Sequence, residues 1–436
     1  MKTCSPGRNP LPSAQPESHS DLDRAVAATV EHARANSPFY RQKLADFPQV
    51  RCAAELAKLP ITTKREVSQF NDQFWCTTPD TFIDFCTTSG TTGVPTLYPI
   101  TQTDLDRLGQ NEEACFTQVG INKADVIMLA VTLDKCFMAG LAYFEGLRRI
   151  GATVIRVGAG SPAMLLGMAG RLKPTAIVSV PSFLKRVAAY ATQQGIDPAQ
   201  STIRKLICIG EPIRDSSFQL TDLGSHIARA FSANVYSTYG ITELACSMCE
   251  CEAGRGGHVN PQFVHAEILD ETGSPVPDET PGQLVATTLG VTAMPLVRFA
   301  TGDITFLTRE PCPCGRTTPR IGPILGRKDQ AMKLKGTTVY PAAVQRSLQS
   351  IDQVIDYVMI ATAPTPLSDE LEVVVAVRGD ASEARELIRE KLRGDLKICP
   401  TLRIAPLAEI TALGHSTELR KQRVFLDRRS PNFPPT

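Results

Sequence analysis

The spacing of apolar residues changes several times along the chain. Leu22, Val26, Ala27, Val30 and Ala33 recur three to four positions apart, which predicts a helix from Ser20 to about Asp46. A second helical period covers Thr103–Val119, with a Thr or Asp placed to cap it. Ala124–Thr132 (ADVIMLAVT) is instead a nearly continuous apolar run, the texture of a strand covered on both faces of a sheet. Helical spacing returns over Phe137–Ile150 and from Ser182 to about Gln194, and strand texture over Gly151–Gly158, Pro174–Pro181 and Lys205–Pro212. Strands alternating with helices through short connections predict a largely parallel α/β sheet.

Beyond Pro261 short apolar runs are broken by D-E-T-G and P-D-E-T-P-G turns, which predicts a β-rich subdomain of hairpins. A boundary falls near Leu325–Gln330. After it come a helix (Pro341–Ser350), strands over Val354–Thr362 and Glu370–Val377, and a helix (Ser382–Leu396), enough for a small α+β domain. The expected fold class is therefore α/β. A disordered tail (1–19) precedes a large N-terminal domain (20–325) of mostly parallel sheets with the β-rich subdomain, and a hinge joins it to a small C-terminal domain (326–436).

Composition narrows the function. Among 436 residues, 46 basic side chains balance 45 acidic ones, so no global field favours nucleic acid or an anionic membrane. The single Trp argues against base-stacking platforms. No apolar run approaches the ~20 residues of a membrane span, and the first twenty residues lack the apolar core of a secretory signal. Thirteen unevenly spread cysteines do not resemble a disulfide framework, so a reducing cytoplasm is the expected compartment.

The stretch Thr87–Pro95, TTSGTTGVP, sets five hydroxyls around Gly90 and Gly93. Such a turn can curl its N–H groups into one concavity and hold phosphate oxygens, although a plain surface loop has the same composition. It is not a P-loop, because no Lys follows the second Gly. Further on come YGITE (Tyr239–Glu243), RFATGD (Arg298–Asp303) and GRKDQ (Gly326–Gln330). These motifs, in this order, resemble the adenylate-forming (AMP-binding) enzymes, and specifically the phenylacetate–coenzyme A ligase branch, from about Ser37 to Arg428.

The resemblance implies ATP, Mg²⁺ and coenzyme A as ligands and a small carboxylic acid, aromatic by analogy, as substrate. It implies that Thr88, Ser89, Gly90, Thr91, Thr92 and Gly93 hold phosphate, and that Gly210, Glu211 and Pro212 adjoin the adenine. Tyr239 and Gly240 would lie over the base, Thr242 would reach the α-phosphate, and Glu243 would hold Mg²⁺. A Glu just after a Gly turn could equally be a helix first-turn residue favoured by the dipole; with the other motifs present the metal role is preferred. Asp303 would take the ribose, Arg327 a ribose or phosphate oxygen, and Asp329 would be the hinge. Lys421 and Asp427 in LRKQRVFLDRR keep the family's six-residue spacing, and Lys421 would stabilise negative charge at the reacting phosphate. Arg420 replaces the usual Gly there, and a solvated basic tail is the alternative. Phe137, Met138, Tyr143 and Phe144 are either an aryl pocket or core.

Cys251, His258, Cys312 and Cys314 form C-x₆-H followed 54 residues later by C-x-C. Thiolates and an imidazole suit a closed, structural tetrahedral zinc. Some relatives in this branch carry such a zinc; Cys249 is a second candidate for the first ligand, with Cys251 favoured because the family has a Glu-Cys pair, and metal-free thiols remain an alternative. The activity these expectations add up to is an ATP-dependent acid–thiol ligase acting through acyl-AMP. Transfer to an amine or a carrier-protein thiol, or a non-catalytic nucleotide-binding relative, are the alternatives, and a homodimer is left open.

Overall fold

The computed structural model describes residues 19–88, 95–334, 337–365, 368–397, 400–414 and 424–429. Helix α1 (His19–Asn36) buries Val26, Val30 and Ala33. The helical period read through to Asp46 breaks at Ser37, whose hydroxyl accepts from Tyr40 N–H and opens α2 (Pro38–Lys43) with Pro38 at its first turn. Helix α3 (Lys64–Gln69) starts from a reciprocal capping box between Thr63 and Glu66, a device of about 1 kcal/mol. Strands β1 (Phe82–Thr88) and β2 (Thr96–Thr101) form an antiparallel hairpin, and Thr101 with Asp104 caps α4 (Gln102–Gln118).

The α/β alternation then runs β3 (Val126–Ala130), α5 (Met138–Ile150), β4 (Thr153–Arg156), α6 (Pro162–Leu172), β5 (Ala176–Ser179), α7 (Pro181–Gln193), β6 (Lys205–Ile209), α8 (Asp222–Phe231), β7 (Asn234–Ile241) and β8 (Cys246–Cys249). The sheet order is β4-β3-β5-β6-β7-β8; every pair is parallel except β7 with β8. Successive residues of β3 feed opposite cores: Met128 and Ala130 pack with α6, α7 and α8, while Ile127 and Leu129 pack with α4 and α5. Burial on both faces explains why these strands read as unbroken apolar runs.

The chain then turns β-rich, through β9 (Gly257–His258), β10 (Val264–Leu269), β11 (Gly282–Thr288), β12 (Phe299–Thr305), β13 (Leu307–Thr308), β14 (Arg320–Ile321) and β15 (Gly326–Arg327). Strands β10, β11, β12 and β15 form one antiparallel sheet, and β13, β14 and β9 another. After a short 3₁₀ turn (Lys328–Gln330), β16 (Met332–Leu334) pairs with β17 (Thr337–Val339), and α9 (Pro341–Gln349) follows. Strands β18 (Val354–Thr365) and β19 (Ser368–Val377), helix α10 (Ala381–Leu396), β20 (Thr401–Ile404), α11 (Leu407–Gly414) and β21 (Phe425–Asp427) complete the fold. Their sheet, ordered β20-β19-β18-β21, is covered by apolar clusters drawn from residues after Ala331. Among the described residues no helix is long and apolar enough to cross a membrane.

Candidate active site

A cleft of about 1750 Å³ opens where the carboxyl ends of β5, β6 and β7 meet the β1–β2 hairpin, β12 and β15, and it extends to α9 and β18. Ligands of open α/β sheets bind at such strand ends. Thr88, Gly210, Glu211, Pro212, Tyr239, Gly240, Thr242, Glu243, Asp303, Arg327 and Asp329 all line it. Ser89, Gly90, Thr91, Thr92, Gly93 and Lys421 lie outside the described residues.

Asp303 is held by two other members of this set. It sits on β12 directly opposite Arg327 of β15 and is 2% exposed. Its carboxylate accepts from Tyr239 Oη at 2.8 Å and from Arg327 Nε at 3.1 Å, and its own N–H donates to Thr301 Oγ1 at 3.1 Å. Burial, then the adjacent carboxylate, pushes the Tyr239 phenol well up, so it stays a donor. A carboxylate offers about four lone-pair positions, which leaves Asp303 capacity for ligand hydroxyls. Gly302 before it has φ +79°, with open space where a Cβ would be, so backbone conformation rather than crowding selects glycine.

Thr242 and Glu243 occupy the 3₁₀ turn Thr242–Leu244 that joins β7 to β8. Glu243 is buried, and Lys64 Nζ on α3 lies 3.8 Å from its Oε1. The turn ends at Ala245 with φ 47°, and the Ala245 carbonyl accepts from Arg107 of α4. The same buried guanidinium also donates to the carbonyls of Leu289 and Phe263, so one side chain ties this turn to the β-rich sheets.

Glu211 and the candidate aryl-pocket residues have partners that the sequence did not indicate. Glu211 lines the cleft, but its carboxylate accepts from both the N–H and the hydroxyl of Ser182, each at 2.8 Å, in the first turn of α7; a charge at a helix N-terminus is favoured there. Of the candidate aryl-pocket residues, Phe137, Met138 and Tyr143 line the cleft, whereas Phe144 does not and packs under the Arg156 guanidinium, 5.5 Å from its ring centre.

Beside the cleft, whose lining includes Glu250 and Gly257, the ligand atoms of Cys251, His258, Cys312 and Cys314 lie within 4.8 Å of one another. Cys251 Sγ is 3.6 Å from Cys312 Sγ, and Cys314 Sγ is 3.5 Å from His258 Nε2. Metal–ligand bonds of ~2.0–2.3 Å at tetrahedral angles give edges of roughly 3.5–3.8 Å, so the donor set fits zinc. Burial, then Arg316 and Arg320, lowers the His258 pKa to about 4, leaving the neutral imidazole a metal requires. Its Nδ1 meets Thr318 Oγ1 at 2.9 Å, fixing the ring with Nε2 toward the thiols. Cys249 is not a member: its Sγ accepts from Thr238 Oγ1 at 3.1 Å. The group joins the end of β8 to the β9–β14 ladder.

Sequence patterns did not single out Lys64, Arg107 or Ser182. Lys64 follows the Thr63 that caps α3, a position that by itself suggests only a helix's first turn. Arg107 had no signal, because a charged residue in an amphipathic helix usually faces water.

The chain is similar to known proteins over most of its length. The model of the AMP-binding enzyme family matches residues 21–294. A phenylacetate–coenzyme A ligase of Thermus thermophilus is 30% identical over 362 residues, covering 82% of this chain and 80% of the relative. One from Pseudomonas putida is 28% identical over 377 residues, covering 84% of each chain. A solved structure of 2-hydroxyisobutyryl-CoA ligase in the postadenylation state with R3-HIB-AMP superposes with a TM-score of 0.83 at 22% identity, covering 97% of this chain and 94% of the other. The chain belongs to the AMP-binding enzyme family, in the branch of the phenylacetate–coenzyme A ligases.

Proposed function

We propose that the protein is an AMP-forming acid–thiol ligase. A carboxylate oxygen of the acid attacks the α-phosphorus of ATP; the bond to the β-phosphate bridging oxygen breaks, and pyrophosphate leaves. The thiol sulfur of coenzyme A then attacks the acyl carbon of the mixed anhydride, loses its proton, and expels AMP. The observation that carries this reading is the buried Asp303 carboxylate shared by Tyr239 and Arg327, on the same cleft wall as Thr242 and Glu243.

In this reading Asp303 accepts from the ribose hydroxyls, with Arg327 and Tyr239 fixing its rotamer. Thr242 and the hydroxyls of Thr88, Ser89, Thr91 and Thr92 orient phosphate oxygens, with Gly90 and Gly93 allowing close approach. Gly210 and Pro212 border the base beside Tyr239 and Gly240, while Glu211 supports that loop through Ser182. Glu243 fits Mg²⁺, a hard cation that takes carboxylate and phosphate oxygens, and the ion would supply charge neutralisation for the departing pyrophosphate. Lys421 is assigned to the negative charge that builds at the α-phosphate. Residues 20–325 and 326–436 are assigned as separate domains hinged at Asp329, so that a rotation can exchange the adenylating constellation for the thioester-forming one. The Cys251, His258, Cys312 and Cys314 set is assigned to a structural zinc, which leaves no open position for chemistry. An aryl acid is the favoured substrate class, as the names of the relatives suggest, and the expected site of action is the cytoplasm.

The test is release of AMP from Mg·ATP with a panel of aryl and short-chain acids, with and without coenzyme A. AMP formation that requires one acid, is accelerated by coenzyme A and yields a thioester by mass supports the assignment. Acid-dependent pyrophosphate release without any response to coenzyme A would transfer the acyl group to an amine or a carrier-protein thiol instead.

A further inference from the structure

One acid on the cleft has no part in the chemistry above. Glu112 lies one turn after Leu108 on α4, and both line the cleft together with Met138 and Tyr143 of α5 and Ser247 of β8. It is 1% exposed. Asn111 Nδ2 donates to its Oε1 at 3.1 Å and to the Ser247 carbonyl at 3.2 Å, which fixes one side of the carboxyl. Its Oε2 has no well-aligned hydrogen-bond partner among the described residues, although the Ser247 side chain, with Asn111, offsets part of the burial that raises the carboxyl. A buried polar atom left unpaired costs about 1–3 kcal/mol, a cost an apolar side chain of the same size would avoid.

The packing around Glu112 is tight. Gly146 of α5 sits so close that a Cβ there would be 2.4 Å from the Glu112 Cβ and 2.8 Å from its carbonyl carbon, so any side chain at 146 would displace α4. The site also adjoins the reacting centre, because Ser247 pairs directly with Gly240, two residues before Thr242. Burial pushes the Glu112 carboxyl up to about 7, so near neutrality it can act as an acceptor or, when protonated, as a donor. Leu108, Met138 and the Tyr143 ring provide an apolar wall beside Glu112 and Ser247, the usual composition of a pocket that fixes one polar feature of an otherwise hydrocarbon ligand.

We propose that Glu112 is a specificity-determining residue of the acyl pocket, and that the acid this enzyme activates carries a hydroxyl or primary amino group, remote from its carboxylate, that hydrogen-bonds to Glu112 Oε2. The proposal rests on the ligase reading. It adds the requirement for a second polar group on the acid.

The test uses the full chain with phenylacetate and benzoate, each beside its ring-hydroxylated and ring-aminated derivatives. Binding is followed by calorimetry and turnover by AMP release, for the wild type, Glu112→Leu and Glu112→Gln. The wild type is expected to favour a hydroxylated or aminated acid over its parent by at least ~10-fold in both readouts. Glu112→Leu should abolish that preference by losing the substituted acid while keeping the parent acids, and Glu112→Gln should restore part of it. If Glu112→Leu fails to fold, the wild-type preference and its change in Glu112→Gln decide the matter. Equal or better use of the parent acids by the wild type would overturn the proposal, as would an equal loss for every acid in Glu112→Leu. Discriminating binding without AMP formation would overturn the ligase reading and leave the pocket assignment standing. Neither binding preference nor turnover would overturn both.

Discussion

Asp303 joins residues from three parts of the chain at one carboxylate: its own strand, Tyr239 of β7 and Arg327 of β15. Replacing it with Asn keeps the shape but removes the charge that pairs with Arg327. Asp303→Asn should raise the KM for ATP by roughly 10–100-fold, the worth of a charge-assisted hydrogen bond, with a smaller change in the KM for the acid. Steady-state kinetics with each substrate varied would show it; equal changes for ATP and acid would place Asp303 outside nucleotide binding. Glu112 makes a second prediction, set by its raised pKa. Below pH ~4.5 the folded and unfolded chains are both protonated at this group. Between there and about 7 the unfolded chain ionises while the folded one keeps its proton, so stability falls as pH rises. Glu112→Gln removes this term, and should gain on the wild type by on the order of 3 kcal/mol between pH 4 and pH 8 in urea denaturation. The groups facing Glu112 are Asn111, Cys115, Tyr143 and Ser247, none of which titrates in that window: Cys115 and Tyr143 are raised well above their usual values by burial. Asp303 and Arg327 were legible because short motifs carry them. Glu112 was not, since a Glu amid polar helix residues reads as a solvated face until α5 is seen to close over it.

At the scale of elements, helix α4 clamps the β-rich sheets to the α/β sheet from one face. Asp104 accepts from the N–H groups of Thr292 and Ala293 at 2.7 and 3.0 Å, and one turn later Arg107 donates to three carbonyls. Arg107→Met keeps the apolar stem but takes the donor from the Ala245 and Leu289 carbonyls, while the Phe263 carbonyl keeps the Leu289 N–H at 2.8 Å, so it should cost about 2–4 kcal/mol in chemical denaturation and loosen the Glu243 turn. A loss under 1 kcal/mol would mean that water replaces the guanidinium. The thiol–imidazole group clamps the other side. Elemental analysis should find one zinc per chain, and Cys312→Ser should lose it together with several degrees of Tm; a metal-free wild type of unchanged stability would count against zinc. The α/β alternation was readable because strands buried on both faces are continuous apolar runs. Helix α8 was passed over although Leu223, Ile227 and Phe231 recur every fourth residue, because its ten residues follow a polar stretch without a strong break. Helix α6, with Gly167 and Gly170 inside it, has weak intrinsic propensity and is held mainly by packing of Leu165.

For the whole molecule, the segment after β15 governs how the C-terminal sheet meets the cleft. Lys185 of α7 donates to the Gln349 carbonyl of α9 at 3.0 Å, and Lys391 of α10 lies 3.9 Å from Asp222 of α8. Arg429, just past β21, donates to the backbone carbonyls of Asp329 and Ala331 and pairs with Asp369 at 3.2 Å, so the end of the described chain grips the proposed hinge. If Asp329 is the pivot, Arg429→Met should change the ratio of thioester formation to adenylation without altering ATP affinity; single-turnover assays of each half-reaction would separate them, and equal effects on both would argue against the hinge assignment. The change of texture near Leu325–Gln330 is legible in the sequence, but the grip of Arg429 is not, because it reaches across 100 residues. The measurement that bears most directly on the activity is acid-dependent exchange of labelled pyrophosphate into ATP without coenzyme A. Formation of an acyl-adenylate requires exchange that depends on both the acid and Mg²⁺ and falls by about 10²–10³ in Lys421→Ala. Thioester formation with no exchange, or with ADP and phosphate as products, would contradict it.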